Sequence, residues 1–162
     1  MSEMNRPNLG TRFFYRNPNA PRPNQPPGVG SVAVIRKGGS YLLEKRSDSD
    51  RWGFPGGRIE DDESAEDAVI REVREETGLQ VTGVRLLGVL SDPSRIVQYP
   101  DGNIRRIITM VFEASVATFA GLGPSPESEA LEFFAPKELM KLSIAEVHIP
   151  LVDRLKDLHG WR

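Results

Sequence analysis

Residues 57–79 read GRIEDDESAEDAVIREVREETGL. With Ala65 as the origin of a helical wheel, Val69, Val73 and Ile70 fall at about 40°, 80° and 140°, one apolar stripe. The spacing predicts a helix over Ala65–Thr77. Ser64 can cap its start, Asp67 completes a capping-box pattern, and Gly78 supplies the stop. On the same wheel Glu76, Glu72 and Glu75 fall at about 20°, 340° and 280°, an arc beside the stripe rather than opposite it. Ala65 and Ala68 flank this arc with small side chains that leave room for something to approach.

By helix physics alone the arrangement is unfavourable. Glu72 makes like-charge pairs with Glu75 (i,i+3) and Glu76 (i,i+4), each costing a few tenths of a kcal/mol. Glu75 and Glu76 also lie in the last turn, where the helix dipole disfavours anions. No lysine lies on the arc, and Arg71, Arg74 and Asp67 fall on the other polar side. Two readings remain open: a solvated acidic face, or carboxylates gathered for a cation. Oxygen-only ligands would select a hard one, Mg²⁺ or Mn²⁺.

The wider charge pattern agrees with that focus. Nine of the 23 acids lie between Glu60 and Glu76 against only Arg71 and Arg74, so a chain of net charge −2 carries −7 in this short stretch. That balance gives no general attraction to nucleic acid or to an anionic membrane. The chain has 162 residues, one domain's worth, and no cysteine, which excludes disulfides, thiolate zinc sites and cysteine nucleophiles. No apolar run is long enough for a membrane span, and the first residues lack the apolar core of a secretory signal. A cytoplasmic location is expected.

Outward from the acidic stretch, residues 1–30 are rich in Pro and Asn and read as an extended arm, docked through Phe13, Phe14 and Tyr15 on the domain or on a second subunit, or else disordered. Residues 31–162 read as the folded domain. Ser31–Arg36 and Tyr41–Lys45 read as strands of a hairpin turning at Lys37–Ser40. Strands are expected over Val81–Leu90, Arg95–Tyr99, Ile104–Thr118 and Leu131–Phe134, with helices from Pro136 to Leu142 and over Pro150–Leu158. Strands alternating with a few helices imply an α/β layer fold.

Gly57, Glu63 and the run Arg71-Glu72-Val73-Arg74-Glu75-Glu76-Thr77-Gly78-Leu79 reproduce the pattern G-x5-E-x7-R-E-U-x-E-E-x-G-U, with U apolar. This resembles the Nudix box at every fixed position, and the lead-in Trp52-Gly53-Phe54-Pro55-Gly56 resembles the family's too. The resemblance implies an α/β/α sandwich with a mixed β-sheet, the box forming a loop–helix–loop. It implies hydrolysis of the diphosphate linkage in a nucleoside diphosphate derivative by metal-activated water, with Mg²⁺, or Mn²⁺ as substitute. It makes Glu72, Glu75, Glu76 and the Gly57 carbonyl metal ligands. Arg71 would orient the carboxylates and Glu63 brace the loop. The general base is either Glu72 or an acid of a later loop, among which Glu127 precedes Glu129 and Glu132 and is preferred for its flexible surroundings.

Arg46, Arg58, Trp52 and Tyr99 are assigned to substrate binding: the arginines for phosphate, the aromatic rings for a base. His148 and His159 are given structural roles. The family's signatures for coenzyme A and NADH substrates are absent, so ADP-ribose-like compounds and nucleoside triphosphates stay open. A nucleotide-sensing module without catalysis is the alternative, although such modules usually lose box glutamates. A prenyl diphosphate isomerase has no catalytic cysteine here, and scattered arginines give no tract for an RNA. Relatives commonly form homodimers, and for this chain a homodimer and a monomer both stay open.

Overall fold

The computed structural model describes residues 10–161. Residues 1–9 of the arm lie outside the described residues. In chain order the first strands are β1 (Arg12–Phe14), β2 (Gly28–Val34), β3 (Arg36–Lys37), β4 (Ser40–Arg46), β5 (Trp52–Gly53) and β6 (Gly56–Arg58). Helix α1 (Ala65–Thr77) is followed by β7 (Val81–Leu90), β8 (Ile96–Gln98), β9 (Ile104–Val116) and β10 (Ser128–Phe134). Helices α2 (Pro136–Leu139) and α3 (Ile149–His159) close the chain, with a 3-10 turn at Glu146–His148 before the last.

Strand β2 is the centre. Its residues from Gly30 onward are buried, the near-continuous apolar run of a strand covered on both faces. It runs parallel to β9 and antiparallel to β6, in a six-stranded mixed sheet that also holds β8, β1 and β7. Its side chains alternate between two cores. Val32 and Val34 pack with Leu151 and Leu155 of α3, whereas Ala33 pairs with Ile35, Val69 and Val73 on the α1 side. The result is helix, sheet and helix in layers.

The expected hairpin is corrected. β2 and β4 belong to different sheets, because β4 pairs with β10, β3 and β5 while β2 takes β9 and β6. The chain leaves β2 near Ile35, and only its tip, Arg36–Lys37 against Ser40–Tyr41, forms a hairpin. The wide gain from parallel pairing with β9 outweighs the local turn. The second expected turn is present: β8 lies antiparallel to β9, Gln98 opposite Ile104.

Helix α1 has the bounds its spacing predicts. The Ser64 hydroxyl accepts from Asp67 N–H, and Gly78, at φ 75°, donates to Arg74 O in the left-handed cap that glycine adopts without strain. The arm residues from Gly10 do not stand apart: β1 adds to the sheet edge against β8, with Phe14 buried. At the other end, Trp161 Nε1–H donates to the Tyr41 hydroxyl. Among the described residues no helix is long and apolar enough to cross a membrane.

Candidate active site

Beside the first half of β2 lies a cleft of about 420 Å³, within the range that small-molecule sites occupy. Helix α1 turns Glu72 and Glu76 towards it, β4 contributes Glu44 and Arg46, and β6 contributes Gly56, Gly57 and Arg58.

Glu76 is buried at 4% exposure, and its Oε2 accepts from Gly56 N–H at 2.9 Å. Glu44, at 2% exposure, is its neighbour, and Ser128 Oγ donates to Glu44 Oε1 at 2.7 Å. Burial, and then the charge of Glu44, push the Glu76 carboxyl far above the usual carboxylate range. Two acids enclosed together in this way are relieved by a cation or by a proton.

Glu72 lies against the Gly57 backbone. A Cβ at position 57 would stand 2.5 Å from Glu72 Oε1, so only glycine lets the chain approach so closely. Arg71 organises the outer side. Its Nε and Nη2 grip Glu63 as a fork at 2.9 and 2.6 Å, while Nη1 donates to Glu72 Oε1 at 3.0 Å and Glu75 Oε2 at 3.1 Å. The hydrogen bonds from Arg71, and then the Glu60 N–H, bring the Glu63 carboxyl down to about 2. Arg71 thus stands where it can orient the carboxylates, although the wheel puts its Cα on the other polar side. The arginine's reach carries its charge round the helix, and part of the repulsion is offset within the chain.

The cleft brings together Gly57, Glu72 and Glu76 with Arg46, Arg58, Tyr99 and Glu127. Arg46 Nε donates to Asp48 Oδ1 at 3.1 Å, and its Nη1 is 3.7 Å from Glu76 Oε1. Against the cost of burial, Asp48 and Glu76 hold this guanidinium above its ordinary pKa. Burial raises the Tyr99 phenol. Glu75 and Arg71 do not line the cleft, and the Glu75 side chain is exposed. Trp52 does not line it either: its ring packs edge-on against Phe134, 4.9 Å between centroids. The half-buried Trp52 ring thus packs against the core cluster rather than along the cleft wall.

Among the described residues no three His, Asp or Glu side chains form a ready-made cage. The donors nonetheless fit a hard divalent cation. They are oxygens alone, two of the carboxylates are enclosed together, and no Cβ separates the Gly57 backbone from Glu72.

Sequence reasoning missed Glu44, Asp48 and His148. A signal existed for the first: alternation along β4 places Leu42 in the α1-side core, so Glu44 two residues on shares that face. His148 Nδ1 accepts from Phe54 N–H at 3.1 Å, and burial brings its imidazole down to about 3. Its ring lines the cleft, which goes beyond the purely structural role expected for it.

A family model described as the NUDIX domain matches residues 24–155. The chain belongs to the Nudix family. Among its Nudix relatives, the CTP pyrophosphohydrolase of Escherichia coli (strain K12) is 29% identical over 138 residues, covering 81% of this chain and 93% of that protein. The ADP-ribose pyrophosphatase of Methanocaldococcus jannaschii is 34% identical over 139 residues, covering 84% of this chain and 75% of that one. Among solved structures, a MutT NUDIX hydrolase from Burkholderia pseudomallei superposes with a TM-score of 0.66 at 28% identity, covering 82% of this chain and 99% of the other.

Proposed function

We propose that this Nudix chain hydrolyses the diphosphate linkage of a nucleoside diphosphate derivative. Family and named relatives together make it a hydrolase of pyrophosphate bonds. What supports the finer reading is one observation: Glu76, buried beside Glu44 and bonded to Gly56 N–H, lies in the same cleft as Glu72 and Arg46.

Glu72, Glu76 and the Gly57 carbonyl would hold Mg²⁺ or Mn²⁺, with Glu75 completing the set. The chemistry such an ion would supply there is charge neutralisation of the diphosphate and a lowered pKa for water. Arg71 fixes Glu72 by hydrogen bond, so one ligand oxygen is oriented before anything binds. Arg46 and Arg58 supply positive charge to phosphate oxygens beside the acidic part of the cleft. Glu127, on the loop whose carbonyl accepts from Ser47 N–H at 2.9 Å, takes the proton of the attacking water. Tyr99 offers ring surface to the nucleoside.

The test is a panel of ADP-ribose, nucleoside triphosphates, dinucleoside polyphosphates and sugar nucleotides, with products identified. At least one should be cleaved at a phosphoanhydride, with activity lost in EDTA and restored by Mg²⁺ or Mn²⁺. Cleavage of none with either metal, or cleavage indifferent to EDTA, overturns the reading.

A further inference from the structure

Residues 10–23 precede the span matched by the family model, yet two of their side chains, Thr11 and Phe13, line the cleft. We propose that this arm is a specificity element: Phe13 closes the apolar part of the cleft against the nucleobase, and Thr11, through Asp48, holds Arg46 in position for phosphate. The inference rests on the nucleotide reading above.

Phe13 pairs with Val97 across the β1–β8 edge and packs on a small cluster with Ala145 and Val147. Val97, Ala145 and Val147 are themselves cleft residues, so Phe13 belongs to an apolar wall continuous with the acidic centre. Such a wall suits a flat, weakly polar ring rather than a phosphate. Polar groups are set into it sparingly. Thr109 Oγ1 accepts from Arg95 Nη2 at 3.0 Å, which leaves its hydroxyl proton to donate elsewhere. The neutral His148, with Nδ1 accepting from Phe54 N–H, carries its proton on Nε2. An apolar wall with a few polar side chains set into it is the composition of a base-reading site.

The same arm reaches the phosphate side. Thr11 N–H donates to Asp48 O and Thr11 Oγ1 to Asp48 Oδ2, both at 2.9 Å. The other Asp48 oxygen accepts from Arg46 Nε at 3.1 Å, and Arg46 stands beside Glu76. Asp48 therefore links the arm to the arginine of the acidic centre. Phe14 goes into the interior at 8% exposure, whereas Phe13 stays half-buried where its cluster meets the cleft.

The experiment measures calorimetric binding, with Mg²⁺, of the α,β-methylene analogues of ADP, GDP, CDP and UDP and of inorganic pyrophosphate. Phe13→Ala should weaken the tightest nucleoside analogue by about tenfold or more, change pyrophosphate by less than about twofold, and narrow the spread among the four bases. Phe13→Leu, which keeps apolar bulk, should recover most of the loss, and thermal unfolding reports that each variant is folded. Thr11→Val should weaken nucleotide and pyrophosphate alike, by about threefold or more, since it acts through Arg46. Equal loss of both ligands in Phe13→Ala, or loss of neither, overturns the arm's role and leaves the functional reading standing. Wild-type protein that binds no analogue and no pyrophosphate overturns both.

Discussion

Glu76 has two acidic neighbours, Glu44 and Glu72, and little water. Its carboxyl is raised above an ordinary value of 4.5 by burial first and by Glu44 second. A group whose folded pKa is raised contributes stability that is whole below the unfolded pKa and is lost as pH rises towards the folded value. Without a cation, then, this pair weighs against the fold at neutral and alkaline pH. Glu76→Gln removes the charge and keeps an acceptor for Gly56 N–H. In EDTA at pH 8 the variant is expected to melt at a higher temperature than the wild type, with the gap closing towards pH 4.5. Its hydrolysis should fall by about a hundredfold or more, and Mg²⁺ should no longer raise its melting temperature. A variant that melts lower at pH 8, or that keeps wild-type turnover in saturating Mg²⁺, would refute the assignment.

At the scale of the element, the loop and helix from Gly57 to Leu79 work as one part. Arg71 ties the loop carboxyl Glu63 to the helical Glu72 and Glu75, and Gly57 admits the Glu72 carboxylate to the backbone. Gly57→Ala is expected to lower kcat by about a hundredfold, with KM changed far less, since a methyl there displaces the carboxylate rather than the nucleotide. Steady-state kinetics separate the two; a rise in KM alone would contradict the geometry. This part was legible in the sequence because its information is local: periodicity, caps and small flanking residues lie within one helix length. The pairing of β2 and β4 was not. Their connection looks like a hairpin, and only contacts with β9 and β10, far along the chain, send them to different sheets. For Glu44 the alternation along β4 gave the face, and its burial came from the same distant contacts. A glutamate near a strand end reads as solvated until β10 brings Ser128 over it. Trp52 was assigned by residue type, and its edge-on contact with the distant Phe134 was not legible in the sequence.

Across the whole molecule, Arg95 is the member on which distant pieces meet. It is fully buried, and burial lowers its guanidinium to about 10. It donates to Val147 O at 2.9 Å, to Leu90 O and Ile107 O at 2.8 Å each, and to Thr109 Oγ1 at 3.0 Å. One side chain thus joins the end of β7, the strand β9 and the turn that leads into α3. Nothing in the stretch Ser91–Val97 distinguishes it from a surface arginine; its acceptors are supplied by the assembled fold. Arg95→Met would strand those acceptors at about 1–3 kcal/mol apiece, so a loss of about 3 kcal/mol or more is expected in urea unfolding. A loss below about 1 kcal/mol would mean that water replaces the guanidinium.

The parallel union of β2 with β9 also governs the order in which the protein can be made. Gly28 is paired with Ile107, so the central strand leaves the ribosome seventy-nine residues before its mate exists. Until then α1, already able to coil from nearby contacts, has only part of the surface that will cover its apolar stripe. A nascent chain halted short of Glu113 would present that stripe and the Val32–Ile35 run together, the kind of bare surface that chaperones seize.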